Sequence, residues 1–316
     1  MNFWTPPTTN LLITAGVVFA LLIFASISIR ILKLRNPQKD YLELTQRTQS
    51  WWVICVLFMG AILLSGVAGL LLFAFISYLA LKEYFSLIPT RRVDRRVLFW
   101  AYLAIPIQYF WIYIGWYGMF IIFIPVYMFL IVPIRLVSLQ ETSGFLRSVG
   151  AIHWGLMVTV FCLSHAAWLF VLPQEVDAMS LASGAGMVLF LVGITELNDI
   201  AQFLWGKSLG KRKIIPGVSP NKTWAGFLGG VGTSAVLGAI LGPQLTPLSC
   251  LAAFFIGGGI GVFGFLGDVT VSALKRDLGI KDSGSILPGH GGVLDRIDSL
   301  MFTAPLFLHC MRYFYF

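Results

Sequence analysis

The chain has 316 residues, 58% of them hydrophobic and 11% charged, with a mean hydropathy of +0.84. Too little polar surface remains to cover a water-soluble domain, so the composition excludes one and indicates an all-α, polytopic integral membrane protein. The formal net charge of +8 suits loops facing an anionic leaflet, and nucleic acid is not an expected partner.

A bilayer core takes about 20 apolar residues per helix. On that measure about ten transmembrane helices are predicted, near 11–32, 51–65, 68–85, 97–112, 115–136, 149–172, 181–204, 224–242, 249–274 and 293–314. The opening "MNFWTPPTTN" has no Lys or Arg, so a cleaved signal peptide is not expected and the first helix should stay. The run from Trp51 to Leu81 is long for one span and short for two, which places a break at Ser65-Gly66. Gly115 marks a similar join. Cys55, Cys162, Cys250 and Cys310 lie in apolar runs without a C-x-x-C pair, and they read as small buried residues.

The connectors test this count. With ten spans, every Lys and Arg except Arg312 falls on one side of the membrane. By the positive-inside rule that side is cytoplasmic, with both termini outside, in the inner (cytoplasmic) membrane. Residues 1–148 carry almost no charge within their spans, whereas 149–316 do. The chain is therefore divided into an N-terminal set of helices and a C-terminal set that carries the chemistry.

Carboxylates inside spans are costly and point to function. "ITELNDIAQF" places Glu196 and Asp199 one turn apart on a helix face, "FGFLGDVTVS" carries Asp268, and "LDRIDS" carries Asp295 and Asp298. All three segments approach the predicted cytoplasmic side. Converging carboxylates there suit Mg²⁺, a hard ion that completes its shell with substrate phosphates. Lys207, Lys211, Arg212, Lys213, Lys222, Lys275, Arg276 and Lys281 lie beside them and suit a polyphosphate. The turn "LPGHGG", residues 287–292, would bring backbone N–H groups close to an anion. The bland alternative is that Asp–Lys pairs only neutralise each other, and a proton or ion pathway is the sharper rival.

Two motif matches carry no weight. "GIGVFG" fits G-x-G-x-x-G but lies within a membrane helix rather than after a strand. The pairs Gly257/Gly261 and Gly226/Gly230 read instead as close helix packing. "AQFLWGKS" misses the first glycine of a phosphate-binding loop, with Ala201 in its place.

The stretch from Ser272 to Asp298 reads S-x-x-K-R, four residues, K-D, a small residue, P-x-H-G-G and D-R-x-D. It resembles the signature of the phosphatidate cytidylyltransferases, or CDP-diacylglycerol synthases. A second block, "GKSLGKRKIIPGVSPNKTWAG", is similar to another of that family's segments. The resemblance covers about residues 190–300, with "YLALKEYFSL" (78–87) the one N-terminal match. It implies an enzyme that joins CTP to phosphatidic acid. Its metal carboxylates would be Asp268 and Asp295, with Asp298 beside them, holding Mg²⁺, as two divalent ions. Lys222, Lys275, Arg276 and Arg296 would meet phosphates. Ser219, Asn221, Thr223, Lys281, Asp282, His290, Gly291, Gly292 and Asp199 would shape the substrate site. A homodimer is usual for the family.

The chain departs from the family pattern at four places. Val271 stands where an acidic residue is common, Ala225 where Glu or Gln is, Gln202 in place of Tyr, and Glu196 is added upstream. These put the lipid acceptor in question more than the reaction class. A non-catalytic paralogue and an ion-coupled transporter stay open on sequence grounds.

Overall fold

The computed structural model describes residues 7–38, 40–89, 94–174, 183–284 and 291–316. Its described residues form helices, without strands beyond one isolated bridge, Lys213 with Thr223. In lipid every backbone N–H and C=O must be satisfied within the segment, and a helix does this for an apolar run. The elements are α1 (Thr9–Arg35), α2 (Leu42–Leu64), α3 (Gly66–Leu87), α4 (Arg95–Tyr113), α5 (Tyr117–Val137), α6 (Phe145–Trp168), α7 (Gly184–Leu209), α8 (Trp224–Leu245), α9 (Cys250–Asp277), α10 (Leu294–Ile297) and α11 (Leu300–Phe314). Both α5 and α6 carry a π-helical stretch, at Phe123–Met128 and Met157–Cys162.

Eight of these helices are long and apolar enough to cross a membrane, against about ten expected. The two shortfalls are α4 and α11. Gln108, Arg95, Arg96 and several Tyr and Trp lower the hydropathy of α4. The expected 293–314 helix is interrupted after α10, leaving α11 with 15 residues. Helix α2 begins nine residues before the predicted start, because "LELTQRTQS" stays helical in a polar setting. There Arg47 pairs with Glu43 at 2.6 Å, Thr45 and Thr48 hydroxyls donate back to the preceding turn, and Asp40 accepts from the Leu42 amide at 2.8 Å.

The two doubtful joins are real. Ser65 is extended, and its hydroxyl caps α3 by accepting from the Ala68 amide at 3.1 Å. Gly115 has φ +70°, the left-handed turn that separates α4 from α5. Cys250 is exposed at the start of α9, contrary to the expected burial. A lipid-facing thiol loses little by this, since its surroundings are as apolar as a core.

One hydrophobic core runs through both halves of the chain, from Leu11 on α1 to Met311 on α11. Around the site the packing is set by small residues. A side chain at Gly226 would meet the Gln202 carbonyl at 2.7 Å, and one at Gly261 would meet the Val231 backbone at 3.0 Å. Gly257 faces the Ser234 carbonyl in the same way. Helices α7, α8 and α9 thus approach backbone to backbone, as the glycine pairs imply. Buried Asn198 ties all three. Its amide donates to the Gly261 carbonyl at 3.4 Å and its Oδ1 accepts from Ser234 at 3.3 Å.

Candidate active site

Tight packing of α9 against the α10–α11 junction creates the acidic site. Gly267 lies against the Asp298 carbonyl, with Ser299 Cα at 3.1 Å from where its Cβ would be. That contact brings the next residue, Asp268, up to Asp298. Asp298 is buried and accepts from the Ser299 amide at 2.7 Å. Ser299 also places its hydroxyl 3.0 and 3.2 Å from the two oxygens of Asp199 on α7. Asp199, Asp268 and Asp298 therefore come from three separate segments and act on one another through space. Glu196 lies one turn before Asp199 on the same helix.

Lys222 enters the cluster from the loop between α7 and α8. Its ammonium pairs with Asp268 and donates to Gln202 Oε1 at 3.3 Å. Burial alone would lower the affinity of this amine for its proton. The charges of Asp268, Asp199 and Asp298 override that and hold it above the ordinary lysine value. Gln202, the residue that replaces the family's Tyr, thus holds Lys222. Val271, where an acidic residue is common, is buried in the apolar core.

The loop itself is a short hairpin-like excursion. Ile214 donates to the Lys222 carbonyl at 3.1 Å and Trp224 to the Arg212 carbonyl at 3.0 Å. Thr223 is buried and caps α8, accepting from Gly226 at 3.1 Å. Ser219 and Asn221 lie on the outer turn, Asn221 exposed. Arg276 clasps this loop to α9, donating to the Val218 carbonyl and to the Ile280 carbonyl, both at 3.2 Å. Lys281 and Asp282 are exposed and do not join the acidic cluster.

Asp295 sits apart from the other carboxylates in function. Oδ1 accepts from Lys275 at 2.6 Å. Oδ2 accepts from the Ser283 amide at 2.9 Å and from the Gly292 amide at 3.1 Å, and the Ser283 hydroxyl oxygen lies 2.9 Å away. Gly291 has φ +82°, and a Cβ there would lie 2.8 Å from Asp295 Oδ2, so the turn needs glycine. Asp295 is thus enclosed by protein donors. His290 lies outside the described residues.

Two residues of this region escaped the sequence reading. Ser283 bridges Asp295 and Glu83, donating to Glu83 Oε1 at 2.5 Å. Glu83 belongs to α3 and is 5% exposed. It also accepts from the Val293 amide at 2.9 Å and the Leu294 amide at 3.0 Å. The signal was present, as a carboxylate in an apolar run, but adjacent Lys82 makes it look like a surface pair.

Do these residues fit a divalent metal? Among the described residues no three His, Cys, Asp or Glu side chains gather closely enough to hold an ion unaided. Mg²⁺ does not require that, since it is commonly held by one or two carboxylates plus substrate phosphates. The donors are hard oxygens, and the Lys222 ammonium already pairs with Asp268, so the cluster attracts a cation. Asp298 has no described ion pair, whereas Asp268 would first have to release Lys222 and Asp295 would have to release Lys275.

A cavity of about 1000 Å³ lies elsewhere, toward the far end of α11, lined by Tyr117, His309 and Arg312 among apolar residues. It has no Asp or Glu in its described lining.

Comparison with known proteins gives the chain a family. The model of the cytidylyltransferase family matches residues 45–314. The chain is 49% identical to the uncharacterized protein YnbB of Escherichia coli (strain K12) over 300 residues, 94% of this chain and 97% of that one. It is 32% identical to a phosphatidate cytidylyltransferase of Staphylococcus haemolyticus, covering 80% of this chain and 94% of that one. Over 119 residues, 37% of this chain and 44% of the relative, it is 48% identical to the phosphatidate cytidylyltransferase of Bacillus subtilis. With a match that runs through nearly every helix and the whole acidic site, this multi-pass membrane protein belongs to the cytidylyltransferase family.

Proposed function

We propose that the protein is a phosphatidate cytidylyltransferase of the inner membrane, its site facing the cytoplasm. The observation that carries this reading is the pairing of Lys222 with Asp268, beside Asp298 packed on Gly267 and Asp199 joined to it through Ser299, next to the Lys275–Asp295 pair. Phosphate-binding cations and hard-oxygen donors stand together at a lipid-facing bundle. A phosphate oxygen of phosphatidic acid attacks the α-phosphorus of CTP. The bond from that phosphorus to the bridging oxygen of the β-phosphate breaks, giving CDP-diacylglycerol and pyrophosphate.

Little covalent work falls to the protein, and positioning with charge neutralisation does most of it. Lys222 leaves its carboxylate partner for a CTP phosphate. Lys275 and Arg296 receive the remaining phosphate charge, and Arg276 keeps the Lys222 loop at the mouth of the site. Asp268 and Asp298 would hold Mg²⁺. When bound, such an ion supplies charge neutralisation on the phosphates and a better leaving pyrophosphate. Asp295 would hold a second divalent ion only on releasing Lys275.

The transport alternative calls for carboxylates spread through the depth of the membrane. Here they act on one another as one cluster, which supports the enzyme. The test uses purified protein in lipid with phosphatidic acid and Mg²⁺. CTP labelled at the α-phosphorus should label the lipid, and CTP labelled at the γ-phosphorus should release labelled pyrophosphate without labelling lipid. Label appearing in neither product, from folded protein, would sink the reading.

A further inference from the structure

Glu83 lies in the N-terminal half of the chain, about 200 residues from its partners. It is buried on α3 and forms no described ion pair. All of its described hydrogen bonds as an acceptor come from Ser283 and from the Val293 and Leu294 amides at the start of α10. Helix α10 carries Asp295, and Asp295 holds Lys275. The fit is close. A Cβ at Gly284 would lie 3.0 Å from Glu83 Oε2, and one at Gly292 would strike its Oε1.

We propose that Glu83 is a positioning residue for the reaction: its carboxylate holds Ser283 and the start of α10 against α3 and so fixes where Asp295 presents Lys275. This rests on the function proposed above. The proton count sharpens the idea. Ser283 has one hydroxyl proton and two carboxylates within reach, at 2.5 Å for Glu83 and 2.9 Å for Asp295. Donation to Glu83 leaves Asp295 with the Ser283 and Gly292 amides and the Lys275 ammonium. The same serine therefore links the two acids, Glu83 on α3 and Asp295 on α10. A carboxylate is specifically required. In Glu83→Gln the new NH₂ group faces either the Val293 amide or the Leu294 amide, donor against donor.

Two readouts test this. Hydrogen exchange in peptides covering residues 291–299 should be faster in E83Q than in wild type, with α7 to α9 unchanged. In the lipid cytidylylation assay, kcat should fall by about 100-fold, the scale of a misplacement near 1 Å, while KM for CTP changes by less than about threefold. Ser283→Ala should shift both readouts the same way, and the double variant should lose little more than E83Q, because the two act as a unit. If E83Q loses protection throughout, S283A alone decides. Unchanged exchange at 291–299, or additive losses in the double variant, would overturn the proposal. Exchange does not depend on turnover, so a wild type without activity would remove the proposed reaction and leave the lock itself still measured.

Discussion

Among single residues, the acidic cluster and its lysine do the most. Asp268→Asn keeps the shape and removes the charge that Lys222 pairs with, so kcat should drop about 100-fold or more, read by lipid labelling. Lys222→Ala leaves Asp199, Asp268 and Asp298 without their nearest cation, and it should raise KM for CTP as well as lower kcat. Arg276→Ala is expected to be milder. It donates to the Val218 and Ile280 carbonyls, so its loss loosens a loop, and steady-state kinetics should show about a tenfold effect. The residues of this cluster were legible in the sequence because charges stand out in apolar helices. Asp199, Lys222, Asp268 and Asp298 do come together. The sequence could not show that Asp295 is enclosed by Lys275, Ser283 and Gly292, because that depends on the fold of a turn. Nor could it show Glu83, whose partners are remote in the chain.

At the scale of elements, the site depends on how closely α7, α8 and α9 approach. Gly257 faces the Ser234 carbonyl with no room for a side chain. Gly257→Leu should cost about 1–3 kcal/mol or more by overpacking, seen as a lower melting temperature in detergent and a parallel loss of activity. Gly232 has nothing within 4 Å of its added Cβ. Gly232→Ala should therefore leave melting unchanged or raise it slightly, by helix propensity. The glycine spacing made this packing readable in advance. Most helix bounds were also readable, because apolar length and capping residues set them. The early start of α2 was not, since its first turns are held by polar side-chain bonds. The interruption between α10 and α11 was not either, since it follows from packing on Gly267.

For the whole molecule, one core joins both halves, and the Glu83 bonds carry that union into the site. The basic connectors imply an orientation that labelling can check. In a cysteine-free background, Lys211→Cys should react with an impermeant thiol reagent in inverted vesicles and not in intact cells. Gln244→Cys, at the other end of α8, should show the reverse. Lys211 reacting from outside would invert the proposed topology and remove the site from cytosolic CTP.

The most direct measurement is lipid labelling from α-labelled CTP and phosphatidic acid by wild type and by Asp268→Asn, each with Mg²⁺ and again after EDTA. The expected result is CDP-diacylglycerol from wild type with Mg²⁺, loss of that product on chelation with recovery when Mg²⁺ is restored, and little or none from D268N. Equal labelling by D268N, or labelling indifferent to EDTA, would contradict the assignment of the acidic cluster to cation and phosphate chemistry.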